Sequence, residues 1–151
     1  MILMVEKKIK RKTKKKKPKT KVSLARGKRK KSIARVSIKK GNGIIRINKI
    51  NFNVYGSPQI RQIIKEPLVL APKVSSEVDM KISVNGGGPI GQAQAIRNAI
   101  AVGLVKFTCD EELKQTFLDR DRFMIIEDSR RTEPKKFGGR SARARKQKSY
   151  R

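Results

Sequence analysis

The placement of positive charge constrains this chain more than any other feature of its sequence. Residues 7–31 contain 16 lysines and arginines and no acidic side chain, and residues 130–151 contain 10 against a single glutamate. Residues 32–129 carry 14 basic and 10 acidic side chains, an ordinary balance for a folded domain. The formal net charge of +28 therefore comes almost entirely from the two ends. Such a surplus opposes a compact state unless a polyanion neutralises it.

The two basic ends lack the apolar side chains that a hydrophobic core requires. Residues 12–21 form a lysine tract interrupted by Pro18, and residues 135–151 offer only two alanines, Phe137 and Tyr150 as apolar groups. Neither segment can bury enough surface to offset the entropy lost on folding. We predict a basic N-terminal extension (1–26), a globular domain (27–129) and an extended basic C-terminal tail (130–151). We expect both arms to be extended, to lack helix and strand for the most part, and to order against phosphate. The alternative is that they are solvated, disordered tails.

The absence of histidine and the single cysteine exclude several function classes. Zinc fingers and Ser–His or Cys–His catalytic pairs need residues that the chain lacks, and Cys109 has no disulfide partner within it. No apolar run approaches the ~20 residues of a membrane span. We expect no enzyme activity, no metal and no cofactor. The expected polyanion is nucleic acid and not a membrane, because the lysine-rich start lacks aromatic anchors.

Hydrophobic periodicity in the middle segment predicts a mixture of strands and helices, hence an α+β or α/β fold. Strands are predicted over residues 32–39, 44–50, 80–84 and 123–126, and the first two are predicted to pair as a hairpin around residues 40–43. Ser57 and Pro58 indicate the start of a helix that ends at Glu66 and Pro67. A long helix with a small and apolar face is predicted over residues 90–107. Residues 110–112 open a short helix with negative charge at its N-terminus.

Three consecutive glycines, Gly86, Gly87 and Gly88, precede the long predicted helix. One interpretation is a tight strand-to-helix turn, and another is an RNA backbone contact through N–H groups at the helix N-terminus. A nucleotide site is disfavoured, because neither a Walker sequence nor a complete dinucleotide fingerprint is present. The acidic side chains of residues 110–121 are interpreted as helix-dipole compensation and a solvated surface, and Cys109 as a small apolar residue at a helix link.

The basic segment over residues 26–32 leads directly into the first predicted strand, so the fold positions its charges unless it is a loose linker. Arg35 continues the same basic face. In the tail, Gly138 and Gly139 allow the chain to bend close to a nucleic-acid backbone, and Tyr150 can stack on a base unless it is an incidental aromatic. The tail arginines that can each hold a phosphate with two donors are Arg143, Arg145 and Arg151.

Three segments together resemble the universal ribosomal protein S9 family of the small subunit, over residues 27–151. They are residues 27–36 (GKRKKSIARV), the glycine triplet with residues 91–97 (GQAQAIR), and residues 128–136 (DSRRTEPKK) with the closing residues 148–151 (KSYR). Their order and spacing make the resemblance specific, and the KSYR ending is similar to the archaeal and eukaryotic cytosolic branch. Val102 departs from the pattern, because the family commonly has Lys or Arg there. The first two dozen residues lie outside the resemblance.

The resemblance implies a small two-layer sandwich with a mixed four-stranded sheet, a left-handed β-α-β crossover and helices on one face. It implies a structural role in the head of the small ribosomal subunit, in the cytoplasm. The implied partners are small-subunit rRNA, neighbouring ribosomal proteins and the anticodon stem-loop of P-site tRNA. The residues expected to contact tRNA are Lys148, Ser149, Tyr150 and Arg151. The residues expected to contact rRNA are Lys28, Arg29, Lys30, Lys31, Arg35, Gly86, Gly87, Gly88, Gln92, Arg97, Arg130, Arg131, Lys135, Lys136, Arg140, Arg143, Arg145 and Lys146.

A general nucleic-acid-binding polycation or RNA chaperone outside the ribosome is the alternative hypothesis. It explains the net charge equally well. It does not explain a glycine triplet joined to a helix or the KSYR ending. Saturable binding to one rRNA site, as opposed to binding to any RNA, distinguishes the two.

Overall fold

The computed structural model of the protein describes residues 21–149. Its strands are β1 (Val22–Arg29), β2 (Ser32–Lys40), β3 (Ile45–Ile47), β4 (Ile50–Asn51) and β5 (Val78–Asn85). Its α-helices are α1 (Pro58–Leu70), α2 (Pro72–Ser76), α3 (Pro89–Thr108) and α4 (Glu111–Arg120), with single 3-10 turns at Phe52–Val54 and Arg122–Met124. This mixture confirms the α+β class.

The sheet has five strands in the order β1-β2-β5-β3-β4, and the predicted four-stranded sheet was wrong. β1, β2 and β5 pair antiparallel, β5 pairs parallel with β3, and β3 pairs antiparallel with β4. The central strand β5 is also strongly apolar on its buried side, where Val78, Met80, Ile82 and Val84 are 0–4% exposed. β5 lies in the middle of the sheet, paired with β2 on one edge and with β3 on the other.

The predicted hairpin between the second and third strands was wrong, because β5 lies between them. The connection at residues 41–44 instead wraps around Asp79 at the start of β5, whose Oδ1 accepts hydrogen bonds from the amides of Asn42 (2.9 Å) and Ile44 (3.2 Å). Those amides hold the pKa of Asp79 below its ordinary value. The tight hairpins lie elsewhere, at the β1–β2 turn and at the β3–β4 turn, where Lys30 and Lys49 adopt positive φ.

Strand β1 has no obvious apolar alternation and was absent from the prediction. Its buried positions include Ala25 and Gly27, which are too small to give a hydrophobic signal. Small residues are required there, because α3 packs directly on this strand. β1 begins at Val22, inside the segment that the sequence assigned to the N-terminal extension.

The helices pack on one face of the sheet. β2 turns Ala34, Val36 and Ile38 inward, and α3 packs against them and against β1 with a face of small and apolar residues. α1 packs on α3, and α4 contacts both helices. The opposite face of β2 and β5 exposes side chains such as Arg35 and Lys81. The fold therefore has two layers and leaves one sheet face open.

Two of the predicted helices begin where expected. Ser57 precedes α1, although its side chain makes no capping hydrogen bond, and Asp110 caps α4 by accepting a hydrogen bond from the Glu112 amide (2.9 Å). The predicted end of α1 at Glu66–Pro67 was wrong, because the helix continues to Leu70. A proline inside a helix removes one backbone hydrogen bond. Here Pro67 is buried and Leu70 packs against the core, so the burial outweighs the missing hydrogen bond.

The predicted last strand over residues 123–126 was also wrong. Asp121 accepts a hydrogen bond from the Phe123 amide (2.9 Å), which starts the 3-10 turn Arg122–Met124. Asn98 of α3 then donates from Nδ2 to the carbonyls of Phe123 (3.1 Å) and Met124 (3.0 Å). These side-chain hydrogen bonds satisfy backbone groups that a strand would have paired in the sheet.

The described part of the basic tail, residues 130–149, contains neither helix nor strand. Residues 137–146 fold back on themselves, because the Lys146 amide donates to the Gly138 carbonyl (3.4 Å) and Arg145 Nη1 donates to the Phe137 carbonyl. Gly138 has φ +84°, a conformation that favours glycine. This part of the tail is a folded loop and not an extended segment.

Candidate nucleic-acid interface

The fold brings the basic β1–β2 turn and the glycine triplet to one open groove. Its walls include Lys30 and Lys31 on one side and Gly87 and Gly88 on the other, where α3 begins. Thr132 of the tail completes the groove. Three segments that are distant in the sequence therefore meet where the first N–H groups of α3 lack partners within the helix. Exposed lysines beside a helix N-terminus form an arrangement suited to phosphate.

The glycine triplet is a tight turn with strict steric requirements. Gly86 and Gly87 have φ values of +75° and +67°. A Cβ on Gly87 would lie 2.1 Å from Ser32 Oγ, whereas a Cβ on Gly88 would meet nothing within 4 Å. Ser32 is buried and donates from Oγ to the Gly86 carbonyl (3.0 Å). The turn is thereby fixed against β2, and Gly88 is left open to an approaching ligand.

Gln92 supports the glycine turn from the first turns of α3. Its Nε2 donates to the Gly86 carbonyl (3.1 Å), and its Oε1 accepts a hydrogen bond from the Tyr55 hydroxyl (3.3 Å). Partial burial raises the pKa of Tyr55 above its ordinary value. Both ends of the Gln92 amide are therefore engaged within the protein.

Arg97 lies outside this groove, in a small cavity that Lys28, Arg29 and Arg130 also line. Its side chain is only 14% exposed, and it forms ion pairs with Glu66 of α1 (2.7 Å) and Asp121 after α4 (2.8 Å). Arg120 also pairs with Glu66, at 3.1 Å. The arrangement ties three helices together, and we interpret Arg97 as a structural residue.

Arg29 and Arg130 share one buried carboxylate. Asp128 has a side chain that is 4% exposed, and it forms ion pairs with Arg29 of β1 and with Arg130 at the start of the tail. The Arg130 guanidinium also lies over the ring of Phe123, 5.4 Å from its centroid. These interactions anchor the base of the tail beside the groove. Lys28 lies next to this anchor in β1 and is half-buried.

Most basic side chains of the tail face solvent. Arg131, Lys135, Lys136 and Arg140 belong to exposed residues, as do Lys148 and Ser149. Arg143 pairs with Glu133 (2.7 Å), and this ion pair holds the pKa of Glu133 below its ordinary value. Tyr150 and Arg151 lie outside the described residues.

Sequence reasoning missed the basic residues of the open sheet face. Arg46, Lys49 and Lys81 line a groove there together with Arg35, the one residue of this group that the sequence had singled out. Arg46 lies in a strand of three residues, and Lys49 lies in a hairpin that was not predicted. The signal that could have found Lys81 was its polar position in the alternating strand β5.

The ion pair at Asp121 predicts a pH dependence of stability. Burial acts to raise the pKa of Asp121, but the Phe123 amide and the Arg97 guanidinium together lower it below its ordinary value. The charged form therefore stabilises the fold at pH values above ~3.9, the ordinary aspartate pKa, and this contribution disappears as pH falls through the lowered pKa. We expect the free energy of unfolding to decrease below about pH 4. Chemical unfolding of Asp121→Asn at several pH values should give a flatter dependence, and an identical dependence would contradict this assignment.

None of the helices in residues 21–149 combines the length with the apolar composition that a membrane span requires. The same part of the chain holds no group of three or more Cys, Asp or Glu side chains arranged to bind a metal ion.

Comparison with known proteins identifies the family. The sequence profile described as Ribosomal protein S9/S16 matches residues 27–151. A protein of Thermoplasma volcanium named small ribosomal subunit protein uS9 is 48% identical over 125 residues, which cover 83% of this chain and 95% of that protein. The proteins of the same name from Methanothrix thermoacetophila and Thermoplasma acidophilum are 44% and 46% identical, over 83% of this chain and 95% and 97% of theirs. The resemblance found in the sequence is confirmed, and the chain belongs to the ribosomal protein S9 family.

Proposed function

We propose that this chain is a structural constituent of the small ribosomal subunit and binds small-subunit rRNA in the head. Family membership supports the ribosomal role, since the S9 family consists of structural components and not of enzymes. The main observation that supports an RNA-binding surface is the groove in which Lys30 and Lys31 face the glycine turn and the start of α3. The proposed location is the cytoplasm, in the small subunit, next to other ribosomal proteins of the head.

The binding mechanism follows from the distribution of charge. Lysines and arginines that neutralise phosphates release counterions, and this release supplies affinity without reading sequence. The folded domain supplies a fixed shape, because the groove is set by the hydrogen-bonded turn of Gly86 and Ser32. Folded rRNA is recognised through such shape and backbone contacts. The basic arms then enter places in the RNA that are too narrow for a globular domain.

We also propose that the crossover from β3 to β5 is left-handed, as the resemblance to the family implies.

Truncation of the tail from Lys135 onward tests the proposed role of the tail in rRNA binding. Removing its basic side chains should reduce the salt dependence of rRNA binding by several units, at roughly 0.7–0.9 for each phosphate that is no longer neutralised. The measurement is the slope of log K against log salt concentration for full and truncated chains. An unchanged slope would show that the tail does not bind phosphate in that complex.

The end of the tail is proposed to contact the anticodon stem-loop of P-site tRNA. The residues concerned are Lys148, Ser149, Tyr150 and Arg151, of which the structure describes the first two as exposed. Deleting these four residues should leave subunit assembly nearly intact, because they carry two of the 40 basic side chains. Retention of P-site tRNA by the assembled subunits should fall. Failure of the shortened chain to enter the subunit would contradict the separation of roles.

A general polycation or RNA chaperone is the second candidate, because the net charge of +28 alone would favour any RNA. Titration of the chain onto small-subunit rRNA in the presence of excess unrelated RNA separates the two candidates. The ribosomal role predicts saturation at one chain per rRNA, whereas a polycation would bind in proportion to total RNA.

A further inference from the structure

We propose that the open sheet face is a second RNA-binding surface, which holds the phosphate backbone of an RNA duplex. We define the open sheet face as the surface opposite α3 that carries Arg35, Arg46, Lys49 and Lys81. It lies on the other side of the sheet from the helices. This inference rests on the proposed function, and it assigns an RNA ligand to a surface outside the groove at the glycine triplet.

The strand register places like charges directly opposite each other on this face. Arg46 of β3 is the partner of Lys81 of β5, and Arg26 of β1 is the partner of Arg35 of β2. Directly opposed like charges destabilise a sheet. Arg26 is partly compensated by Glu127 at 3.2 Å. The Arg46–Lys81 pair has no such partner among the ion pairs of residues 21–149.

The surroundings of the pair favour an external anion. A groove of about 800 Å³ runs across the face, and no acidic side chain of residues 21–149 lines it. The acid of β5 on this face, Asp79, is engaged by Lys39 (3.4 Å) and by two backbone amides. The four basic side chains are therefore not neutralised within the described protein. A bound polyanion would neutralise this repulsion. The free energy that the repulsion costs the unbound fold would then favour binding.

The composition of the face indicates backbone contact and not base recognition. Surfaces that bind unpaired bases stack them on aromatic side chains. The lining of this groove contains no aromatic residue of the described chain. It does contain Ser37 and Ser83, whose hydroxyls can bond to phosphate and to the ribose 2′-hydroxyl. These cations and hydroxyls, which share the lining with the apolar Leu24, Val36 and Ile82, can bond to the phosphate backbone of a paired RNA.

A charge-matched pair of variants of the full chain tests the proposal. The sheet-face variant carries Arg46→Gln, Lys49→Asn and Lys81→Gln, where asparagine suits the positive φ of residue 49. The control removes three exposed lysines of the helical side, through Lys65→Gln, Lys73→Gln and Lys106→Gln. The probe is a transcript of the small-subunit rRNA head domain. We expect the salt slope of binding to fall by about 2 to 3 for the sheet-face variant and to stay unchanged for the control.

Stability provides an independent readout. Lys81→Glu replaces the repulsion with an attraction toward Arg46, so the unfolding temperature should rise while rRNA affinity falls. Preference for a fully paired RNA over a polyuridine strand of equal length should also decrease in the sheet-face variant. An equal fall in the salt slope of the control variant, or no fall in either variant, would overturn the proposal. If the wild-type chain itself showed no preference for small-subunit rRNA, the proposed function would fail, and this inference with it.

Discussion

Gly27→Ala is expected to destabilise the folded domain by about 3 kcal/mol and to lower its unfolding temperature by more than about 10 °C. Gly27 lies in β1 where α3 crosses the sheet. A Cβ at this position would lie 2.2 Å from the Ala95 carbonyl oxygen and 2.5 Å from the Ala99 amide nitrogen. Both of these atoms belong to helix backbone, which cannot move aside as a side chain can. The added methyl group would have to push α3 away from the sheet.

Gly88→Ala is the matched control for this prediction. Gly88 has φ −99°, which alanine adopts without strain, and its Cβ would meet nothing within 4 Å. The unfolding temperature of Gly88→Ala should therefore be close to that of the wild type, or slightly higher because alanine reduces the entropy of the unfolded chain. The measurement is thermal or denaturant unfolding of both variants. A near-neutral Gly27→Ala would show that α3 does not pack against β1 as closely as described.

Arg97→Gln is expected to destabilise the fold by about 2 kcal/mol. The substitution leaves Glu66 and Asp121 without their shared cation. The cost should lie below the 3–5 kcal/mol typical of a fully buried pair, because these carboxylates keep 27% and 32% of their surface exposed. If Arg97 instead contacted rRNA, as the sequence suggested, its removal would reduce the salt slope and leave stability unchanged. Unfolding and salt-dependent binding of the same variant separate the two roles.

Arg120→Gln provides the comparison for Arg97. Arg120 pairs with the same Glu66, but its side chain is 64% exposed. Exposed ion pairs contribute about 0–1 kcal/mol, so its removal should cost much less than that of Arg97. In the Arg97→Gln background, adding Asp121→Asn should recover part of the stability, because Glu66 keeps Arg120 whereas the Asp121 carboxylate has lost its ion-pair partner. Additive destabilisation would contradict the coupling of Arg97 and Asp121.

Sequence reasoning succeeded for elements whose signals are local. The strand predicted over residues 80–84 is part of β5, whose apolar and polar residues alternate clearly. α3 has a continuous face of small and apolar residues, and Asp110 caps the start of α4. It failed where tertiary contacts decide the structure. β1 was missed because its inward residues are small for the sake of α3, and the strand predicted at residues 123–126 is replaced by a turn that Asn98 holds. The hairpin was misassigned because local spacing does not show that β5 is inserted between two strands.

Local patterns in the sequence revealed parts of the candidate site but not how the fold assembles them. The glycine triplet and the basic segment before β2 were found separately, and the fold brings Lys30, Lys31 and Gly87 to one groove. No local pattern indicates that Arg97 points toward two carboxylates contributed by other helices. Nor does any local pattern indicate that Arg46 and Lys81 are neighbours, because their pairing depends on the parallel register of β3 and β5.

Sedimentation of the tagged full chain through a sucrose gradient, at low and then at high salt, decides whether the chain is an integral part of the small subunit. A structural constituent should migrate with small subunits and whole ribosomes, and it should stay there at high salt because a folded domain and two arms are built into the RNA. Release into the light fractions at modest salt, or spreading over all nucleic acid, would contradict the proposed ribosomal role. That result would identify a loosely bound polycation that shares the fold of the family without its role.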